Sequence, residues 1–175
     1  VHPNLRAWRD EDLQAFVALH ADPEVGYWLG GAWSEETSRA RFEQARRLRD
    51  DGLGPWPVVD EADELVGLVG LARVSPELPI HPAVEAAWRL LPSAWGKGMV
   101  TSAMRPVLAR GFEVAGLDEV VAFTARSNLR SQAVMRRLGF EPAPEQDFDH
   151  PRLEPGHPLR PHVVFTLKRP AEGTC

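Results

Sequence analysis

Cysteine occurs once in 175 residues, at the last position, so no internal disulfide can form, and Cys175 sits in a tail unsuited to a nucleophile. That usage is compatible with a reducing cytoplasm, the compartment expected for this chain. No apolar run approaches the roughly 18 residues needed to span a bilayer, which argues against a membrane-spanning role. The opening "VHPNLRAWRD" has no basic segment leading to an apolar core and a cleavage site, so no secretion signal is expected. Positive charge is in deficit: 20 Lys and Arg against 25 Asp and Glu leave a formal −5. This balance argues against non-specific nucleic-acid binding while allowing local basic patches. No internal repeat stands out. Set against these gaps, 43% hydrophobic and 26% charged residues are the make-up of a globular protein. The length fits one domain, residues 1–175, whose core needs neither disulfides nor metal.

Spacing and punctuation then order the elements. "LRAW" reads as a short strand, and Asp10 is placed to cap a helix in which Leu13, Phe16, Val17 and His20 share a face. After "PEVGYWLGGAW", Ser34 caps a second helix with Glu35 and Glu36 in its first turn and Arg46, Arg47 and Arg49 near its end, before Gly52. "WPVVD" and "LVGLVGLARV", joined by "EADE", read as a β-hairpin. "SPELPIHP" interrupts regular structure, and "AVEAAWRLL" forms a third strand that stops at Pro92. Met99 to Ala115 is helical on the stripe Val100, Ala103, Met104, Val107, Leu108 and Phe112, with a kink expected at Pro106. "EVVAFT" is a strand. Asn128 caps "LRSQAVMRRLGF", whose Leu129, Ala133, Val134 and Leu138 fall on one side before Gly139. "EPAPEQDFDHPRLEPGHPLRP" reads as a long irregular loop and "HVVFTLK" as a closing strand. Helices interrupting a mixed sheet indicate an α/β or α+β layer architecture.

The stretch "LLPSAWGKGMVTSAM" sets Gly96 and Gly98 on either side of Lys97, between a strand and a helix. Two positions without Cβ let main-chain N–H groups approach a ligand, and the helix start adds unpaired donors and a positive dipole end. That combination suits a phosphate. Two phosphate loops fail on the letters. A Walker loop requires Ser or Thr where Gly98 stands and glycine where Leu91 stands; a dinucleotide fingerprint requires glycine where Thr101 stands. His150, His157 and His162, with Asp147 and Asp149, are irregularly spaced in a proline-braced loop, so no metal is expected. No Ser-His-Asp or Cys-His set has local support.

"VEAAWRLLPSAWGKGMVTSAM", followed after one helix and one strand by "NLRSQAVMRRLGFE", resembles the GNAT family of N-acetyltransferases, in particular its RimJ/RimL-like branch of ribosomal-protein N-terminal acetyltransferases. The early "LRAWRDEDLQAFVALHADPEV" fits more loosely. The resemblance implies a GNAT fold: one bent mixed sheet whose central strands splay around acetyl-CoA, flanked by helices. Carried onto this chain, it implies that the backbone of Trp88, Arg89 and Leu90 pairs with the pantetheine arm, whose amides bond as a strand would. Trp95, Gly96, Lys97, Gly98, Met99, Val100 and Thr101 become the pyrophosphate loop, with Lys97 a helper. Asn128 and Ser131 face the cofactor, and Arg130 reaches its 3′-phosphate. A bulged amide near Leu90 receives the thioester oxygen as negative charge develops. Tyr27, Trp28 and Trp33 shape the acceptor site, with core packing as the alternative role for each. The resemblance also favours a homodimer.

Acyl transfer to an amine needs a neutral nitrogen, a place for the oxyanion and a proton for the leaving thiolate. An alkylamine titrates near about 10.4 and is charged at neutral pH, so a base or water chain must take its proton. Glu85, three residues before Trp88, is the candidate base; a solvent-facing glutamate is the alternative. The chain departs from the family at Met135, where many members carry a proton-donating tyrosine, which leaves Ser131, water or the amine's own proton. A second departure is Ser93, where glutamine or arginine is frequent. Glu24, Glu35, Glu36, Asp147 and Asp149 favour a cationic acceptor if they face the site and are ordinary loop residues if they do not. The implied function is direct acetyl transfer, in a ternary complex, from acetyl-CoA to a primary amine on a protein N-terminus or a small molecule. A noncatalytic acyl-CoA-binding module is the alternative that Met135 leaves open. The partners expected are this amine acceptor, with no nucleic acid and no membrane.

Overall fold

A computed structural model of the protein describes residues 6–47 and 53–171. Strands β1 (Gly54–Val59), β2 (Leu65–Arg73) and β3 (Val84–Leu90) form an antiparallel meander. β1 carries Pro55 and Pro57, which donate no ladder bond and are tolerated because β1 is an edge strand. The β1–β2 turn closes on Asp60, whose carboxylate accepts the N–H groups of Ala62 at 2.9 Å and Glu64 at 3.0 Å. β4 (Glu119–Ala125) runs parallel to β3, and β7 (Pro161–Lys168) antiparallel to β4. Two short strands, β5 (Glu141–Pro142) and β6 (Phe148–Asp149), both pair with β7. The result is one mixed sheet of seven strands in the order β1-β2-β3-β4-β7-β5, with β6 beside β7.

The two faces of β2 serve two cores, and the register shift that leaves Val66 without a β1 partner brings Leu65 onto the face of Leu68. Leu65 and Leu68 join Trp8, Phe16, Leu19 and Phe42 under helices α1 (Asp12–Ala21) and α3 (Glu35–Arg47). Val69 and Leu71 pack instead with Ala103, Met104 and Val107 of α4 (Met99–Glu113), and α5 (Leu129–Arg137) adds Met135 to the same core. In the first core Trp8, Phe16 and Phe42 meet edge to face with centroids 5.4 to 5.7 Å apart. Such pairs contribute about 0.5–1.5 kcal/mol each beyond area burial.

Several elements differ from the sequence expectation. Residues 6–8 form no strand, and Leu5 lies outside the described residues. Trp8 docks by its side chain, donating from Nε1 to the Pro55 carbonyl at 2.8 Å. Asp10 does not cap α1, because its carboxylate pairs with Arg46 at 2.7 Å; Asp12 accepts the Arg9 N–H at 2.8 Å instead. A helix, α2 (Pro23–Trp28), stands where none was expected, and Asp22 caps it by accepting from Glu24 and Val25 N–H groups at 2.9 and 3.0 Å. Ser34 does cap α3, its hydroxyl accepting the Thr37 N–H at 3.1 Å; the expected end at Gly52, with Arg49, lies outside the described residues. α4 continues through Pro106 and stops at Glu113. In α5 the buried positions are Gln132 and Met135, with Leu138 at its C-cap, whereas Leu129 is 70% exposed. The stretch expected as irregular loop contributes β5 and β6, held because Asp147 accepts the Val164 N–H at 3.0 Å and Ala143 donates to the Val164 carbonyl at 2.9 Å. Among the described residues no helix is long and apolar enough to cross a membrane.

Candidate active site

The site is built on β3. Its pairing with β2 is unbroken from Arg73↔Val84 to Gly67↔Leu90, and flanking bonds run from Val74 N–H to Ala83 C=O and from Leu91 N–H to Val66 C=O. In this register Glu85, Ala87 and Arg89 direct their main-chain groups to β2. Ala86, Trp88 and Leu90 direct theirs to the opposite side, toward β4. β4 pairs with β3 only at Glu85↔Val121. Beyond that point the two strands diverge, and the Trp88 and Leu90 main-chain groups border the gap. The bulge expected near Leu90 is therefore absent; the meander's register shift lies between Val58 and Val59. Divergence of β4 presents the Leu90 amide without one.

The gap opens into a cleft of about 1350 Å³. One end is formed by the β3–α4 turn and α5. Trp95, Gly96, Gly98, Met99, Val100 and Thr101 line it, as do Asn128, Arg130 and Ser131 from the start of α5. Gly96 and Gly98 hold φ of 75° and 73°, and an added Cβ at either would meet nothing within 4 Å. The glycines thus answer first to backbone handedness, which L side chains resist, and not to crowding within the chain. Lys97 is exposed and is not part of the cleft lining. The first intrahelical bond of α4 is Ser102 N–H to Gly98 C=O at 3.0 Å, so the three preceding N–H groups are turn donors directed out of the helix. The Thr101 hydroxyl is buried without a hydrogen-bond partner among the described residues.

Side chains brace this end. Trp95 Nε1 donates to the Leu90 carbonyl at 2.8 Å, fixing the turn on the strand. The Arg130 guanidinium lies 4.7 Å over the Trp95 ring. Asn128 caps α5 by accepting the Ser131 N–H at 3.2 Å, and its amide donates to Thr124 Oγ1 at 3.1 Å. Met135 is buried in the α4–α5 core and forms part of the cleft lining from below.

The other end is walled by α2, the loop after it and β7. Glu85, Arg89, Trp28 and Trp33 line it, together with His150 and His162. Tyr27 is 52% exposed, packs edge-on against Trp28 and is not part of the lining. None of Glu24, Glu35, Glu36, Asp147 and Asp149 lines the cleft. Glu85 makes no ion pair or hydrogen bond among the described residues, and burial pushes its carboxyl up to about 7, opposed by the charge of Arg89. His20 is fully buried. Its Nδ1 lies 2.8 Å from the Phe16 carbonyl and donates to it, which leaves Nε2 to accept from Arg89 Nη1 at 3.0 Å. Burial lowers this imidazole to about 4, so it is neutral at physiological pH. Trp33 stacks on the His20 ring at 4.2 Å, and the Arg89 guanidinium sits 4.6 Å from the Trp33 centroid. Sequence reading assigned only the backbone of Arg89 to the site and placed His20 on a helix face. The i,i+4 spacing of Phe16 and His20 was the available signal for a buried histidine. On the far wall His162 stacks with Phe148 at 5.4 Å, and Arg152 is ion-paired with Glu77.

Known proteins resemble this chain in sequence and in fold. A family model described as "Acetyltransferase (GNAT) domain" covers residues 4–141. The chain belongs to the GNAT acetyltransferase family. An uncharacterised N-acetyltransferase, p20, from Bacillus licheniformis is 25% identical over 142 residues, covering 78% of each chain. The solved ribosomal-protein-S5-alanine acetyltransferase of Vibrio fischeri superposes with a TM-score of 0.74 at 18% identity, covering 94% of this chain and 91% of that one. Spermidine N-acetyltransferase of Vibrio cholerae, solved with CoA and spermine, gives 0.71 at 18% identity with 94% of each chain covered. These two likenesses show the GNAT fold, a mixed sheet flanked by helices. GNAT acetyltransferases draw the acetyl group from acetyl-CoA, and the residues present fit it: the turn donors at α4, the partnerless Thr101 hydroxyl and the cation of Arg130 suit phosphate, and the Trp88 and Leu90 main chain suits an amide-bearing arm.

Proposed function

We propose that this GNAT protein binds acetyl-CoA in the gap between β3 and β4 and transfers the acetyl group directly to a primary amine entering from the α2 side. The divergence of β4 from β3 beyond Glu85↔Val121 carries this reading, because it leaves a strand edge facing a cleft where a ladder would otherwise continue. The β3–α4 turn from Trp95 to Thr101 holds the pyrophosphate through main-chain donors, and Asn128 and Arg130 flank it. The RimJ/RimL-like resemblance rests on these same residues, so it supports the cofactor half and leaves the acceptor to the other half.

When bound, acetyl-CoA supplies a thioester whose carbonyl carbon is open to a neutral amine. Glu85 takes the ammonium proton; a carboxyl raised to about 7 is half ionised near neutrality, a good match for a base that must also release the proton. The Leu90 N–H donates to the carbonyl oxygen as charge develops, a role worth about 2.7–4 kcal/mol per donor. Ser131 lines the cleft and donates its hydroxyl to the departing sulfur, the position at which Met135 can give nothing.

Thermal unfolding with acetyl-CoA, CoA, ATP and NAD tests the cleft. A ligand at about 100 times its dissociation constant adds about 2.7 kcal/mol of stability. Stabilisation by the two coenzyme A species alone is expected, followed by CoA release on adding an amine. A response to ATP or NAD alone would overturn the reading.

A further inference from the structure

Arg89 stands at the acceptor end of the cleft without a contacting acid, its charge felt across the cleft by Glu85 alone among the carboxylates. It is half-buried, and the ion pairs among the described residues do not include it. Its one hydrogen bond goes from Nη1 to Nε2 of His20, and its other close neighbour is the face of Trp33. Both are neutral. They hold the guanidinium in place without satisfying it, and most of its donors stay available in a fixed planar fork. The other cations lining the cleft are differently committed. Arg152 is paired with Glu77. Arg130 lies over Trp95, Arg105 donates to the Arg137 carbonyl, and these two and Arg137 stand at the α4–α5 end. A half-buried arginine whose nearest acid does not touch it is costly unless an anion completes its fork.

Glu85 shares the strand face of Arg89. Four residues of strand separate their backbones by about 13 Å, both side chains line the same cleft, and neither is bonded to the other. One carboxylate and one guanidinium in register across an open interval are the complement of a molecule bearing an ammonium and an anion.

We propose that the acceptor is a small amine that also carries a carboxylate, with its amine at Glu85 and its carboxylate on the Arg89 fork. The inference rests on the acetyltransferase reading of the same cleft. It replaces the cationic acceptor that the acidic loop residues suggested, none of which lines the site. His20 and Trp33 are positioning residues for Arg89. An arginine built to pair a carboxylate rejects the analogue lacking it far more strongly than a shape-matched apolar pocket rejects a methylene.

Steady-state acetylation of glycine, β-alanine, 4-aminobutyrate and 6-aminohexanoate, each against its decarboxylated amine and against putrescine, tests this with the full chain and acetyl-CoA. For at least one spacing kcat/KM is expected to favour the carboxylated member by tenfold or more, mostly through KM. Arg89→Gln is expected to bring that ratio near one, and Arg89→Lys to retain part of it. Equal or better turnover of the decarboxylated amines or putrescine by the unsubstituted chain overturns the proposal, as does acetylation of peptide N-termini alone. So does a ratio that survives Arg89→Gln in a folded variant. If acetyl-CoA binds but no amine turns over, the acetyltransferase reading has failed by itself. Calorimetric titration of butyrate against n-butylamine then decides the Arg89 site, where selective butyrate binding is expected and its absence overturns it.

Discussion

The two ends of the cleft are made of different materials. The cofactor end is main chain: turn amides, two left-handed glycines, a helix start and the outward-facing half of β3. The acceptor end is side chain: Glu85, Arg89, His20 and Trp33, drawn from a strand, a helix and a loop. Main-chain chemistry is available to any sequence that can adopt the conformation, so it survives where few side chains are shared. This is consistent with a fold common to proteins only 18% identical over 94% of the chain. Side-chain chemistry has no such tolerance, and a change of one residue there changes which molecule fits.

Substitutions at four positions sharpen that contrast. The largest effect is expected at the acceptor end: Glu85→Gln should lower kcat/KM by about 10²–10⁴-fold at neutral pH, the usual worth of a positioned base. In the unsubstituted enzyme activity should rise with pH through about 7 as Glu85 ionises, and the variant should lose that limb. Stability carries the opposite sign. Because the folded-state value is raised from 4.5 to about 7, the folded chain holds a proton that the unfolded chain has released between those values. Stability contributed by this group is complete below the lower value and falls as pH rises through the upper one, so chemical denaturation of Glu85→Gln should show a flatter pH slope in that window.

At the cofactor end the expected losses are in binding. Gly98→Val forces a branched residue into φ 73°, at about 1–2 kcal/mol for any L residue and more for a branched one. CoA affinity by calorimetry should fall about tenfold or more, while Gly98→Asn should retain most of it. Asn128→Ala removes the cap of α5 and the tie to Thr124, and should cost about 1 kcal/mol of stability, read as a melting shift of about 2–4 °C. Tyr27→Ala should be the smallest, within about twofold in kcat/KM, because this ring is exposed and outside the cleft lining. A large loss there would draw the acceptor boundary further out along α2.

The same contrast explains what could be read in the letters. Gly96, Gly98, Pro92 and Asn128 mark conformations, and conformations are local, so the strand, turn and helix of the cofactor end follow from one contiguous stretch. The buried stripe of α4 was legible for the same reason, since 3.6-residue periodicity needs no partner. Arg89 was not. Its meaning depends on His20, 69 positions away, and on Trp33 in a loop, and no spacing rule links them. The α2 helix carried a readable signal in Asp22-Pro23, a cap followed by a first-turn proline, but at six residues its periodicity is too short to announce itself. Leu129 misleads for a related reason: it lies at the first turn of α5, where apolar spacing continues past the surface that α4 covers. Ladder geometry at Leu90 was also out of reach, since a diverging neighbour and a bulged strand free an amide equally well.

A sheet of seven strands whose two antiparallel blocks meet at a single parallel bridge is mechanically two plates with one rivet. The helices clamp them, but the seam itself has almost no rungs. Whatever lodges in the gap becomes the missing part of the ladder, bonding one plate through its backbone and resting on the other. Loading the cleft should therefore change the joint more than either plate. Amide exchange ought to slow along Trp88–Leu90 and the facing end of β4 while the interior of the β1–β2 pairing barely responds.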